Sequence, residues 1–231
     1  MYPQRRMVRQ TLRLGLLVSL VVLVLSACGG GEKEAKARPL PEEDQKALHP
    51  GEYRSEEFKP SLSFRIGKGW STYTREAPDV LRISRGETRI VGFANIHEVY
   101  KPTRTGPPNV VEAPEDIVGW FQRHPYLDTT EPEPTTVGGV EGVQFDVIVE
   151  DLPEGYQGAC LAITGADCVD IARFGDDQIM ILPKIARERH IVLEGVEGET
   201  VTVYFGSPKA EFDEFAPEAQ KVVDSVKWTS S

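Results

Sequence analysis

Leu62-Ser63-Phe64-Arg65-Ile66-Gly67-Lys68-Gly69-Trp70 is the stretch that decides the fold. Leu62, Phe64 and Ile66 alternate with polar neighbours, the period of a half-buried strand, and Gly67-Lys68-Gly69 is turn chemistry with an aromatic at its exit. Downstream, Val80 to Ser84 and Thr88 to Val99 flank Arg85-Gly86-Glu87, a hairpin signal. The second of these strands is apolar on both faces, with Ile90, Ala94 and Ile96 on one and Val91 and Phe93 on the other. A central strand covered on both sides is expected there.

Ala113-Pro114-Glu115-Asp116 has the proline and carboxylates that open a helix, and Pro125 closes it. Ile117, Trp120, Phe121 and His124 share its apolar stripe. Val143, Phe145, Val147 and Val149 alternate as a strand after the glycine-rich turn Val137 to Gly142. Further apolar strands are expected at Ile179 to Leu182, His190 to Leu193 and Thr200 to Phe205. Phe212, Phe215, Ala219, Val222, Val223 and Val226 keep helical spacing, with Pro217 expected to kink or restart the helix, and Trp228 enters a last short strand. Strands, helix, strands and helix predict an α+β domain, an antiparallel sheet covered by helices.

The strand into Gly69-Trp70, the middle helix and the ending Asp224-Ser225-Val226-Lys227-Trp228 resemble the Mog1/PsbP-like α/β/α sandwich. Trp120-Phe121-Gln122-Arg123-His124-Pro125, Val137-Gly138-Gly139, Gly142 and Asp146-Val147 resemble uncharacterised lipoproteins of Gram-positive bacteria. The resemblance spans Tyr53 to Trp228, and it implies a binding or accessory role without supplying an active-site residue.

At the N-terminus, Arg5, Arg6, Arg9 and Arg13 precede the apolar run Leu14 to Leu25, with no acidic residue before Cys28. That is the layout of a secretory signal. As a helix the run reaches about 18 Å, short of the ~30 Å hydrocarbon core, so cleavage is expected. Leu25-Ser26-Ala27-Cys28 resembles the box of bacterial lipoproteins, which is cut before the cysteine. The resemblance implies a signal peptide at 1–27 and an acylated Cys28 whose partner is the lipid bilayer, anchoring the mature chain outside the cytoplasm. Two or three chains at ~0.8 kcal/mol per buried CH₂ make release negligible. Gly29 to Pro50 is glycine, charge and proline, the composition of a solvated tether, so residues 28–50 are expected as a flexible linker and 51–231 as one domain.

The chain has 26 Lys+Arg against 36 Asp+Glu, and loss of the four signal arginines leaves 22 against 36, a balance of −14. Such a surface repels phosphate backbones, so nucleic acid is not an expected partner. Lys184, Arg187 and Arg189 cluster loosely around Glu188 and are expected on a solvated face. Besides Cys28 there are two cysteines, Cys160 and Cys168, with the turn chemistry of Thr164-Gly165-Ala166-Asp167 between them, and a disulfide is expected in an oxidising compartment. Closing so short a loop is worth roughly 2.5 kcal/mol.

Catalytic and cofactor motifs are absent. His97-Glu98-Val99-Tyr100-Lys101 puts Lys101 where a zincin needs its second histidine, and there is no G-x-S-x-G elbow. Gly138-Gly139-x-x-Gly142 lacks both the dinucleotide and the phosphate-loop spacing and reads as a tight strand connection. Asp176-Asp177 has no surrounding calcium-loop pattern, and Glu150, Asp151 and Glu154 read as solvent-facing. No metal, cofactor or catalytic residue is expected. Trp120, Phe121 and His124 are the candidate wall of an apolar ligand pocket, with core packing the rival reading. The expectation is a non-catalytic binding or accessory module of the cell envelope, its partner an envelope protein or small molecule. A purely structural protein-protein interaction domain and an envelope hydrolase are the alternatives.

Overall fold

The computed structural model describes residues 37–102, 109–156, 158, 167–175 and 178–229. In chain order the strands are β1 (Arg38–Pro39), β2 (Gly51–Arg54), β3 (Leu62–Ile66), β4 (Ser71–Thr72), β5 (Val80–Arg85), β6 (Arg89–Asn95), β7 (Glu98–Lys101) and β8 (Asn109–Glu112). After helix α1 (Ile117–Arg123) come β9 (Leu127–Thr129), β10 (Glu133–Val137), β11 (Val140–Val149), β12 (Cys168–Phe174), β13 (Gln178–Pro183), β14 (Ala186–Val196) and β15 (Glu199–Pro208). Helix α2 (Phe212–Val223) and β16 (Lys227–Trp228) follow a 3₁₀ turn.

The central sheet runs β10-β11-β14-β15-β6-β5-β4, antiparallel throughout, with β9 added on β11. Each of its faces carries its own core. On one, Leu81, Ile83, Phe93, Ile191, Val203 and Phe205 meet α2 and a small sheet ordered β1-β2-β3-β16. On the other, Val80, Ala94, Phe145, Val147 and Val192 meet α1 and a second small sheet ordered β13-β12-β7-β8. As expected, β6 is a central strand buried on both faces.

The expected cover of helices is present in part: each outer layer is part sheet and part helix. α1 is only 7 residues long and α2 12, too little apolar stripe to shield a sheet this wide, and the strands β2, β3, β12 and β13 complete the cover. The expected long strand Thr88 to Val99 is also divided. β6 ends at Asn95, and β7 leaves for the outer sheet. α1 starts later than read: Asp116 is its N-cap, accepting from the Gly119 amide at 2.7 Å, so Pro114 lies outside. Pro217 neither breaks nor restarts α2, which continues from Phe212 to Val223.

Residues 37–50, expected as part of the tether, pack against the domain. Leu40 and Leu48 are buried, the Leu48 amide donates to the Trp70 carbonyl at 2.8 Å, and β1 pairs in parallel with β2. Arg38 reaches across to donate to the His49 and Pro50 carbonyls, at 2.9 and 2.8 Å. Two leucines among polar residues gave a linker composition, yet they suffice to bind the segment to the domain edge. The glycine turn behaves as read: Gly138 and Gly139 join β10 to β11 at positive φ, and the Trp228 indole, which donates to the Val137 carbonyl at 3.0 Å, packs where a Gly138 Cβ would stand.

Candidate functional site

Among the described residues, a row of buried ionisable groups lies on the α1 side of the central sheet. Strand register places Phe145, His190, Tyr204, Gly92 and Arg82 directly opposite one another across five strands. Glu188, two residues before His190, shares that face. Its carboxylate sits 3.0 Å from His190 Nε2. Glycines make the room: the Tyr204 ring lies over Gly92 and the Glu188 side chain over Gly206, each filling the space a Cβ would need. Arg82 points toward β13, donating to Gln178 Oε1 at 2.6 Å and the Ile179 carbonyl at 3.1 Å.

A carboxylate–imidazole pair is the composition of a general base, but access decides its chemistry. His190 is 1% exposed, with Phe121 4.7 Å above it and Phe145 and Tyr204 stacked on either side at 6.0 and 5.9 Å. Burial pushes the Tyr204 phenol well above its ordinary value. Among the described residues no hydrogen-bond partner reaches His190 Nδ1 or Arg82 Nε. The row is a polar seam inside the second core.

The three residues expected to wall a pocket meet beside this seam. Phe121 is fully buried against Phe145 and His190, Trp120 is half-buried, and His124 is buried with its ring 5.1 Å from Trp120 and 5.8 Å from Tyr126. Desolvation pushes His124 down to about 4, so it is neutral at physiological pH. Its Nδ1 accepts from the Tyr126 amide at 3.3 Å, and its Nε2 has no partner. None of the three lines any of the cavities described next, and their side chains fill the core.

The open spaces lie at the ends of the sandwich. A cavity of about 290 Å³ is lined by His97, Glu112, Glu115, Glu199, Thr200 and neighbours. Its carboxylates suit a cationic or hydroxyl-bearing ligand, and His97 sits 3.5 Å from Asp79. A second, of about 330 Å³, is bounded by Pro39 to Glu42, Glu56, Glu57, Arg75 and Glu76. Glu76 clasps the loop above it, accepting from the amides of Phe58 at 2.8 Å and Glu56 at 3.1 Å, while burial raises its carboxyl above the usual range. A third, of about 230 Å³, lies between Leu152 to Tyr156, Asp167, Cys168 and Lys184, where burial pushes the Tyr156 phenol up to about 12. Among the described residues no three metal-ligating side chains come together.

Of the residues singled out from sequence, Cys28, Cys160 and Asp176-Asp177 lie outside the described residues. Cys168 opens β12 at 2% exposure. His97 is exposed ahead of β7, with Glu98 in a two-pronged pair with Arg173 at 2.9 and 3.0 Å. The solvated reading of Arg187 and Arg189 is corrected. Both guanidiniums converge on Asp146, Arg189 Nε at 2.7 Å and Arg187 Nε at 3.1 Å, and both lie over the Phe212 ring. Burial alone would raise the Asp146 carboxyl, but the two arginines outweigh it and hold it below the usual range. The seam residues Glu188 and His190 were missed. Their signal was present in the alternation of β14, where both fall on the face of Val192, but Glu188 reads in isolation as one charge among basic neighbours.

No family model matches the chain and no curated protein matches it. Among solved structures it is similar to LpqN of Mycobacterium tuberculosis, described as involved in cell envelope biogenesis, with 11% identity, a TM-score of 0.39, and coverage of 79% of this chain and 93% of that one. It is similar also to the cyanobacterial PsbP of Synechocystis, with 11% identity, a TM-score of 0.37, and coverage of 89% and 99%. At such scores the likenesses carry no inference about this chain. Among the described residues no helix is long and apolar enough to cross a membrane.

Proposed function

We propose that the chain is an extracytoplasmic lipoprotein, held to the membrane by acylated Cys28, whose Mog1/PsbP-like domain is a non-catalytic binding or accessory module of the cell envelope. The observation that carries this reading is Leu25-Ser26-Ala27-Cys28 closing an arginine-rich and then apolar segment. The character of the domain supports it. The carboxylate–imidazole pair is sealed beneath Phe121, whereas the open cavities are shallow, acidic clefts of the kind that hold a ligand or a partner's side chain. The Cys160–Cys168 disulfide belongs to the same proposal, supported by the burial of Cys168 at the start of β12.

Fractionation of cells expressing the full chain and its Cys28→Ala variant tests the anchor. The parent is expected in the membrane fraction and the variant released after export; a variant that stays membrane-bound would overturn the lipid-anchor reading. Native mass spectrometry of the exported protein, begun at Gly29 so that Leu40 and Leu48 are kept, tests for a ligand. A reproducible added mass supports ligand binding, and a bare chain moves the reading to a protein-protein interaction domain.

A further inference from the structure

Resting on the lipid-anchor reading, we infer that one particular end of the sandwich lies against the bilayer, with Ile185 as its contact. The end is identified by strand direction. β3 runs toward the Gly67-Lys68-Gly69 turn, β5 and β6 turn at Gly86, β13 passes into β14 at Lys184-Ile185, and β15 leaves through Pro208-Lys209. Register brings these turns to the same end of the central sheet, because Ser71, Ser84, Ile90, Gly206 and Glu188 occupy one row. The opposite end carries Asn95, the Gly195 to Gly198 turn and the cavity with His97 and Glu199.

β1 tells where the anchored segment enters. It pairs in parallel with β2, Arg38 opposite Tyr53 and Pro39 opposite Arg54, and β2 in turn opposes β3 with Gly51 against Ile66. Ala37, the first described residue, therefore lies on the Ile66 and Gly67 side of Arg38. From Cys28 to Ala37 there are nine residues, which span about 16 Å when relaxed and about 30 Å when fully drawn out. That suffices for the Ile66 end to meet the headgroups. For the other end to do so, those residues would have to double back along the length of β3, about 16 Å, and use their whole relaxed span before reaching lipid.

The end so placed carries the one large apolar side chain that is exposed among the described residues, Ile185, at 68%. It is flanked by Pro183 and Lys184, and the Lys209 amide donates to its carbonyl at 2.8 Å, which pins the two turns together. Lys68 and Lys209 are exposed at the same end, their methylene stems able to lie along the interface. Lys184 is 3.5 Å from Asp151, and Glu87 and Glu150 are exposed nearby, so the patch presents no net cationic face. The partner it fits is a zwitterionic lipid surface, met by an apolar tip.

Photocrosslinking of the full-length acylated protein in phosphatidylcholine–phosphatidylethanolamine vesicles tests this. p-Benzoylphenylalanine replaces Ile185 in one preparation and Glu199, at the opposite end, in another, and lipid adducts are read by mass spectrometry. Several-fold more adduct from position 185 than from position 199 is expected. Equal yields, or more from 199, would overturn the orientation while the protein still floats with the vesicles. A parent protein that does not float would instead overturn the anchor.

Discussion

Replacing His124 by asparagine removes a buried imidazole while keeping an oxygen acceptor for the Tyr126 amide, and its consequence is a change in how stability depends on pH. His124 is 5% exposed, and desolvation holds its pKa at about 4 against 6.5 for a free histidine. Between those values the unfolded chain binds a proton that the folded chain refuses, so stability rises with pH across that window and falls as pH drops from 6.5 toward 4. Linkage at about 1.4 kcal/mol per pH decade gives about 3 kcal/mol lost over the window from this one residue. The asparagine variant lacks that loss. It starts less stable at pH 7, for want of the ring's contacts with Trp120 and Tyr126, and the deficit narrows on acidification by up to about 3 kcal/mol. Urea unfolding followed by tryptophan fluorescence, on both proteins at pH 7, 6, 5 and 4.5, measures the difference directly. Titrations elsewhere, including that of Glu76, are common to both proteins and cancel. A deficit that stays constant across this range would refute the account of His124 as a buried neutral base.

Three further outcomes follow from the packing. A chain beginning at Gly51 lacks buried Leu40 and Leu48, and at about 1.5–3 kcal/mol for each side chain it should be about 3–6 kcal/mol less stable than one beginning at Lys36. Thermal melts of the two chains decide this, and equal Tm values would return residues 37–50 to the role of a linker. Asp146→Asn leaves Arg187 and Arg189 without their carboxylate and should cost about 1–3 kcal/mol at neutral pH. Because that carboxyl is held below its ordinary 3.8, its stabilisation is present above that value and is lost as pH falls through the lower folded one. The deficit should therefore narrow in strong acid, which urea titrations at pH 7 and pH 2 will show. Gly92→Val drives a side chain into the Tyr204 ring and should destabilise by about 1–3 kcal/mol with loss of near-ultraviolet tyrosine dichroism, whereas an unchanged spectrum would contradict the flat Tyr204 placement.

Much of the fold was legible because its strands keep period two. Leu62 to Ile66, Val143 to Val149 and Thr200 to Phe205 each put apolar residues where a core face needs them, and glycine punctuated the turns at Gly86, Gly138-Gly139 and Gly195 to Gly198. The rest of the outer sheets, beyond β3, β13 and β16, was not legible. β7 and β8 are four residues each, and β12 begins at Cys168 with charged Asp170 and Arg173 within it, so no long alternation announces them. The break between β6 and β7 hid because Ile96 continues the apolar pattern of Ile90 and Ala94 while the backbone changes sheets. The polar seam was hidden by register: Glu188, Tyr204 and Arg82 are far apart in sequence and meet only when β14, β15, β6 and β5 align.

The small sheet behind α2 joins residues from both halves of the sequence, with Lys227 and Trp228 lying against Ser63 and Leu62. Its ladder cannot close until residue 228 has left the ribosome, however early the strand at Leu62 emerges. The helix that lies over the central sheet from Phe212 onward is made just as late. A chain still on the ribosome therefore lacks both the closing strand of that small sheet and the helix that covers its first core.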